Sequence, residues 1–341
     1  MKILHCADIH LGSSLTAHLD AERAKSRANE LLNSFLDLFR FAKENDVSAI
    51  LIAGDLFDAD RGIQNIKKLV FQAMGQYPSI SFFYLRGNHD TSLFVEELPS
   101  NVYCFDSSWK SYSLSNRVVI TGTELDANTD YSALNLDSQK FNIVLLHGQV
   151  GESIPLSSFA HKNVDYLALG HVHSYQEFVL DSRGMACYCG CLEGRGFDEV
   201  GNHGFVLLDI DEASLSYSKE FISWAKREVF VQEVDVSSCS NSLDVLQACL
   251  QYSLEESSMV KFVLVGELNV EVSLDLSFIQ QHLAQKYYFV KVEDQTRSVM
   301  DFSLFENDLS LKGEFIRKIQ DSSFSEEEKM ALIKTGLEAF L

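Results

Sequence analysis

Proline is scarce in this chain, with three among 341 residues. Cysteine is neither dense nor even in number. Cys6, Cys104, Cys187, Cys189, Cys191, Cys239 and Cys249 make seven, which argues against a disulfide scaffold. No apolar run approaches the roughly 20 residues of a membrane-spanning helix. The N-terminal MKILHCADIH enters a short apolar strand and lacks the apolar core and cleavage site of a signal peptide. No membrane association is expected, and the expected location is cytoplasmic. Internal repeats and low-complexity segments are missing too. Basic charge is in short supply: 28 Lys and Arg face 49 Asp and Glu, a net charge of −21. The deficit is spread along the chain, with 16 basic and 25 acidic residues in 1–200 and 12 and 24 in the remainder. Phosphate contacts come from Lys and Arg, so composition speaks against a free-standing nucleic-acid binder.

What is present is an ordinary globular composition, 46% hydrophobic and 23% charged, of a length that suggests about two domains. The first hundred residues alternate strand and helix. A buried strand opens at Ile3 and Leu4. A helix follows over 22–45, with Leu31, Leu32, Phe35, Leu38, Phe39 and Ala42 at helical spacing. VSAILIAGDLFD (47–58) reads as a strand, 63–75 as a helix and ISFFYLRGNHD (80–90) as the next strand. Ligands of such sheets sit at the carboxyl ends of the strands. After about residue 100 the chain is strand-rich, through 117–125, 141–150, 164–173, a hairpin over 176–190 turning at Asp181–Gly184, and 201–211, which suggests a second sheet packed on the first. CYCGC (187–191) alternates so that its thiols share one face, and buried free thiols are the expected reading. Near residue 228 the pattern restarts as strand, helix (241–253), strand (259–268), helix (275–286), strand (287–294). The tail is polar and helix-forming, with Ser323 or Ser325 as the cap of an amphipathic last helix. The expected fold is α+β, a two-sheet β-sandwich flanked by helices with a small C-terminal α+β capping domain. Its expected parts are 1–222, 228–300 and a helical segment 301–341.

Polar residues gather where strands end: Asp8-x-His10, Gly54-Asp55, Gly87-Asn88-His89-Asp90, His147-Gly148 and Gly170-His171-Val172-His173. Each motif alone is common. Five in this order, each after an apolar strand, are not explained by packing. Mixed carboxylate, imidazole and carbonyl donors suit Mn²⁺, Fe or Zn²⁺. A shared carboxylate such as Asp55 suits two ions about 3.5–4 Å apart that clamp a phosphate. The glycines let the backbone turn tightly after each strand.

The set D-x-H, G-D-x-x-D, G-N-H-D, H-G, G-H-x-H over residues 5–175 resembles the calcineurin-like metallophosphoesterases. MKILHCADIHLGSSL, GDLFD and YCGCLEGRGFDEVGNHGFVLLDI further resemble the branch of DNA repair exonucleases of the SbcD and YhaO kind. The resemblance implies that Asp8, His10 and His173 hold one ion, Asn88, His147 and His171 the other, with Asp55 bridging. It also implies that His89 faces the phosphate as acid or transition-state stabiliser. Asp90 has two readings, the group that orients His89 or a carboxylate that stabilises the turn. The implied cofactors are two divalent ions, Mn²⁺ before Fe or Zn²⁺. The implied activity is that of a DNA exonuclease, with endonuclease activity as an addition, and the implied partner is a coiled-coil ATPase of the SMC type; a homodimer is a further expectation. Some relatives carry His where Asp58 stands, and Asp58 is read here as a helix cap. Arg86 and Arg195, beside glycine turns, are candidates for meeting substrate phosphate, the other reading being surface salt-bridge formers. His5, His18, His161, His203 and His282 lack motif context and are expected to be structural or superficial. A small-substrate phosphoesterase, a nucleotidase or cyclic-nucleotide phosphodiesterase, is the alternative that the acidity favours, and a scaffold without catalysis is the third.

Overall fold

A computed structural model describes residues 1–15, 19–58, 63–90, 97–300 and 302–338. His18 lies outside them. By internal contacts the chain divides into Met1–Glu228 and Val229–Leu341.

The first unit contains β1 (Lys2–Cys6), α1 (Ala21–Glu44), β2 (Val47–Ala53), α2 (Gln64–Gly75), β3 (Ser81–Leu85) and β4 (Val102–Cys104). It continues through β5 (Lys110–Ser113), β6 (Val118–Gly122), β7 (Phe141–His147), β8 (Tyr166–Gly170), β9 (Gln176–Val179), β10 (Met185–Tyr188), β11 (Gly204–Asp211) and β12 (Ser216–Ser223). Two six-stranded sheets result, ordered β12-β11-β1-β2-β3-β4 and β5-β6-β7-β8-β10-β9. β1 to β4 run parallel, as do β6, β7, β8 and β10. Their carboxyl ends therefore deliver loops to one edge of each sheet.

The sheets face one another across a shared core that includes Ile3, Leu51, Phe83, Ile143, Leu145, Tyr166, Cys187 and Val206. These strands are apolar on both faces because helices or the opposite sheet cover each side. α1 is started by Asp20, whose side chain accepts from the backbone N–H of Arg23, and it buries Leu31, Phe35, Leu38, Phe39 and Ala42. Each large side chain so buried contributes about 1.5–3 kcal/mol. The 176–190 hairpin forms as read, with β9 and β10 antiparallel.

The second unit is built from β13 (Val229–Asp235), α3 (Ser242–Leu250), β14 (Met259–Val265), β15 (Glu267–Asn269), α4 (Leu276–Leu283), β16 (Phe289–Asp294) and β17 (Arg297–Val299). β13, β14 and β16 form a parallel sheet whose core takes Val245, Cys249, Ile279 and Leu283 from the two helices. α5 (Leu311–Gln320) and α6 (Glu326–Glu338) follow, and Ile316, Ile333 and Leu337 cluster with Val270. The helical tail thus shares a core with the α+β element. Of the two serines considered as the cap of α6, Ser325 takes the role: its Oγ accepts from the N–H of Glu328, whose carboxylate accepts from the N–H of Ser325. Among the described residues no helix is long and apolar enough to cross a membrane.

Candidate metal centre and active site

The β1–β2 pairing does not stop where the strands do. Asp8 N–H donates to Gly54 O (3.1 Å), His10 N–H to Asp55 O (2.9 Å) and Leu11 N–H to Leu56 O (2.9 Å). This zipper sets Asp8 and His10 beside Asp55. It is made with unusual backbone: Asp8, His10 and Asp55 have φ of 52°, 50° and 50°, and His171 has φ of 105°. Non-glycine residues seldom adopt these values, and where they persist the surroundings hold them.

The seven ligand candidates come together. Asp8, His10, Asp55 and His147 are buried, while Asn88 and His171 are exposed and His173 is half-buried. Ligand atoms of Asp8, His10 and His173 lie within 4.8 Å of one another, as do those of Asp8, Asp55 and His147. On the far side, Asn88 Oδ1 lies 3.0 Å from His147 Nε2 and 3.3 Å from His171 Nδ1. Both carboxylate oxygens of Asp8 accept from the N–H of His171 at 3.0 Å, which links the first loop to the last.

The glycines serve closeness more than turning. A Cβ on Gly54 would fall 2.2 Å from His147 Nδ1, and one on Gly87 would fall 2.1 Å from Asp55 Oδ1. Gly87 does not occupy a positive-φ conformation. There the expected reason, a tight turn, gives way to a steric one.

Protonation shows what these groups are arranged for. His147 Nδ1 lies 2.9 Å from Ala53 O. A carbonyl only accepts, so Nδ1 carries the proton and the Nε2 of the neutral ring is a lone pair. That lone pair faces Asn88 Oδ1 and, at 3.2 Å, Asp55 Oδ2. Three lone pairs converging on one point repel unless a proton or a cation stands among them. The buried ring of His10 has no hydrogen-bond partner for either nitrogen among the described residues, while Asp55 Oδ2 and Asp58 Oδ2 each lie 3.8 Å away. A buried polar group without a partner costs about 1–3 kcal/mol. The donor set therefore fits divalent cations.

The electrostatics agree. Burial pushes the Asp8 carboxyl up to about 6, despite the neighbouring imidazoles. Burial acts the same way on Asp55, but in the metal-free site the hydrogen bond and charge of His147, with a proton standing on its Nε2, outweigh it and hold that carboxyl down at about 2, and the same pairing raises His147. Burial, helped by the Arg195 charge, drives His10 down to about 3, so its ring is neutral and free to donate a lone pair.

Asp58 departs from expectation, while Asp90, Arg86 and Arg195 are seen in the plainer of their two readings. Asp90 does not orient His89. Its carboxylate accepts the backbone N–H groups of Phe57 (2.8 Å), Gly87 (2.9 Å) and Leu56 (3.3 Å), so it clamps the β2 loop to the β3 loop. Asp58 does that orienting instead of capping a helix, with Oδ1 at 2.8 Å from His89 Nδ1. Atoms of His10, Asp58 and His89 also lie within 4.8 Å of one another. Arg86 is held by Glu124 through two contacts of 2.6 Å, and Arg195 is held by Glu199 at 2.7 Å, so neither cation is unneutralised. Glu199 itself, 2.7 Å from His173 Nδ1, was not anticipated; the sole hint was its place in GRGFDEVGNHG.

A cleft of about 530 Å³ lies against the Asn88, His147 and His171 side and is also lined by Arg86, Glu124 and Glu152. Among the remaining histidines, His5 is buried on Tyr166 OH at 2.9 Å and His203 is buried beside Cys191. His161 and His282 are exposed. All seven cysteines are free, and Cys187, Cys189 and Cys191 are buried.

Residues 1–175 match the family model of the calcineurin-like phosphoesterases. The DNA double-strand break repair protein Mre11 of Sulfolobus acidocaldarius is 23% identical over 274 residues, covering 72% of this chain and 69% of that protein. Mre11 of Methanosarcina acetivorans is 20% identical over 348 residues, 96% of this chain but 51% of its own length. SbcD, from the SbcCD nuclease of Escherichia coli strain K12, is 26% identical over 267 residues, 61% of this chain and 64% of its own. The matched segments thus span about half to two thirds of these relatives. With more than half of its length matched and the five motifs gathered from the strand ends of both sheets, the chain belongs to the calcineurin-like phosphoesterases, a family of metal-dependent hydrolases.

Proposed function

We propose that the chain is a two-metal phosphodiesterase that cleaves DNA, an exonuclease subunit in DNA repair with some endonuclease activity. The observation that carries the metal reading is the His147 ring, whose Nε2 lone pair is aimed at two oxygen acceptors. DNA as substrate rests on the likeness to the Mre11 and SbcD relatives. Asp8, His10 and His173 would hold one ion and Asn88, His147 and His171 the other, with Asp55 shared. When bound, such ions supply Lewis-acid activation of the phosphate and of water; Mn²⁺ is the ion proposed.

The chain's own groups supply the rest. Asp58 accepts the His89 Nδ1 proton and leaves Nε2 for the substrate. His89, exposed at the mouth of the site, acts in its doubly protonated form: it gives the Nε2 proton to the departing oxygen and keeps the one on Nδ1, hydrogen-bonded to Asp58. The Asp55 carboxylate accepts the His89 backbone N–H at 2.8 Å, which fixes that residue to the ligand cluster. The proposed partner is a coiled-coil ATPase of the SMC type, whose basic surface would offset the chain's −21 charge during DNA binding. A homodimer and a cytoplasmic location are part of the same proposal, as is the assignment of 228–300 as the small capping domain of that branch, with 301–341 as a helical segment after it.

The test is Mn²⁺-dependent hydrolysis of end-labelled linear DNA beside bis-p-nitrophenyl phosphate. Cleavage of both supports the nuclease reading, and the label gives polarity. Cleavage of the small diester alone, unchanged when a coiled-coil ATPase partner is added, sinks it in favour of a small-substrate phosphoesterase.

A further inference from the structure

Three of the ligand imidazoles differ in what stands behind them. His147 is backed by a neutral carbonyl, and His10 is backed by no hydrogen bond among the described residues. His173 is backed by a carboxylate, with Nδ1 2.7 Å from Glu199 Oε1. We infer that Glu199 is a positioning residue for the His173 half of the metal centre, fixing the ring's tautomer and angle so that Nε2 is the donor. The inference rests on the two-ion reading above and adds a residue to it.

The geometry leaves Nδ1 one assignment. A bare nitrogen at 2.7 Å from a carboxylate oxygen would set lone pair against lone pair, so Nδ1 carries a proton and Nε2 is the nitrogen left for a metal ion. Nε2 then faces Asp8, 4.0 Å from Oδ1. The Arg195 guanidinium, at 3.4 Å from Nδ1, is the weaker neighbour and serves Glu199 instead. It bonds Oε1 at 2.7 Å, and its backbone N–H bonds Oε2 at 2.7 Å. Arg195 and Glu199 together add no net charge, so the brace acts by orientation more than by long-range field.

Glu199 is held in turn by its own loop. His203 Nε2 lies 2.9 Å from Glu199 O, which fixes that proton on Nε2. His203 Nδ1 is then an acceptor for the Cys191 thiol at 3.2 Å, and Cys191 N–H donates to His173 O at 3.1 Å. The loop from Cys191 to His203 thus closes a ring of contacts on His173 from behind. Outer carboxylates on metal-bound histidines are worth about 10–100-fold in metal affinity.

The test compares wild type with E199Q by calorimetric titration of Mn²⁺, alongside ¹⁵N NMR of the histidine side chains in metal-free wild-type protein. Expected is a 10–100-fold weaker affinity for one of two ions in E199Q, the other unchanged, with His173 as the Nδ1–H tautomer in wild type. Two Mn²⁺ bound equally well by both proteins overturns the role of Glu199 and leaves the metal reading standing. No Mn²⁺ bound by wild type overturns the metal reading and this inference with it. If E199Q does not fold, the wild-type tautomer decides: an Nε2–H ring at His173 overturns the inference.

Discussion

Asp58 and His89 are 31 residues apart in sequence, yet Oδ1 of the one lies 2.8 Å from Nδ1 of the other. Two loops bring them together, one after β2 and one after β3, and the Asp90 clamp and the Asp55 hydrogen bond tie those loops to each other. The pair engages Nδ1 of His89, whose side chain is exposed, and leaves Nε2 uncommitted to Asp58.

In the mechanism proposed above His89 acts on the leaving group, and the loss on removing it depends on how much that group needs a proton. His89→Ala is expected to lower DNA turnover by about 10²–10⁴-fold while Mn²⁺ stoichiometry stays as in wild type. The loss on bis-p-nitrophenyl phosphate is expected to be smaller, because p-nitrophenolate departs without a proton. Asp58→Asn should show the same ranking with a loss of about 10-fold or more. Equal losses on both substrates would remove the acid role.

Asp90 is a structural clamp. Asp90→Ala leaves three backbone N–H groups without their acceptor, each worth about 1–3 kcal/mol if it stays dry. Urea unfolding of the metal-free protein is expected to show a destabilisation of about 3 kcal/mol or more. Unchanged stability with lost turnover would return Asp90 to the chemistry.

Gly87 keeps space for Asp55. In Gly87→Ala the new methyl meets Asp55 Oδ1 at 2.1 Å and Asp55 N at 2.6 Å, and the second of these is backbone that cannot rotate away. Metal analysis after dialysis against Mn²⁺ is expected to find fewer ions bound than in wild type, in a protein that still folds. Full occupancy would show that the loop yields.

His5 sets a pH dependence of stability. Burial drives its imidazole down to about 3 from 6.5. The unfolded chain takes up a proton below pH 6.5 that the native one refuses, so stability is whole above that pH and falls as the pH drops toward 3. Between pH 7 and pH 5 the loss from this residue is about 2 kcal/mol. Denaturant unfolding at the two pH values is expected to show that slope in wild type and its reduction in His5→Gln. Parallel slopes would show that the native ring accepts the proton.

The sequence by itself determined which residues are candidate ligands and that they stand at strand ends. Metal chemistry needs particular side chains at the ends of strands, and both are written locally, in apolar runs that stop at Asp8-x-His10, Gly54-Asp55, Gly87-Asn88-His89, His147 and His171-x-His173. The sandwich was legible for the same reason, since period and run length mark strands and helices. Which groups stand behind the ligands was decided only by the tertiary structure. Asp58 reaches His89, Asp90 reaches Phe57, Glu124 captures Arg86 and Glu199 reaches His173 across 26 to 38 residues. Those pairings depend on loop paths beyond the strands, where left-handed backbone at Asp8, His10 and Asp55 is imposed by packing and leaves no mark in the pattern of residues.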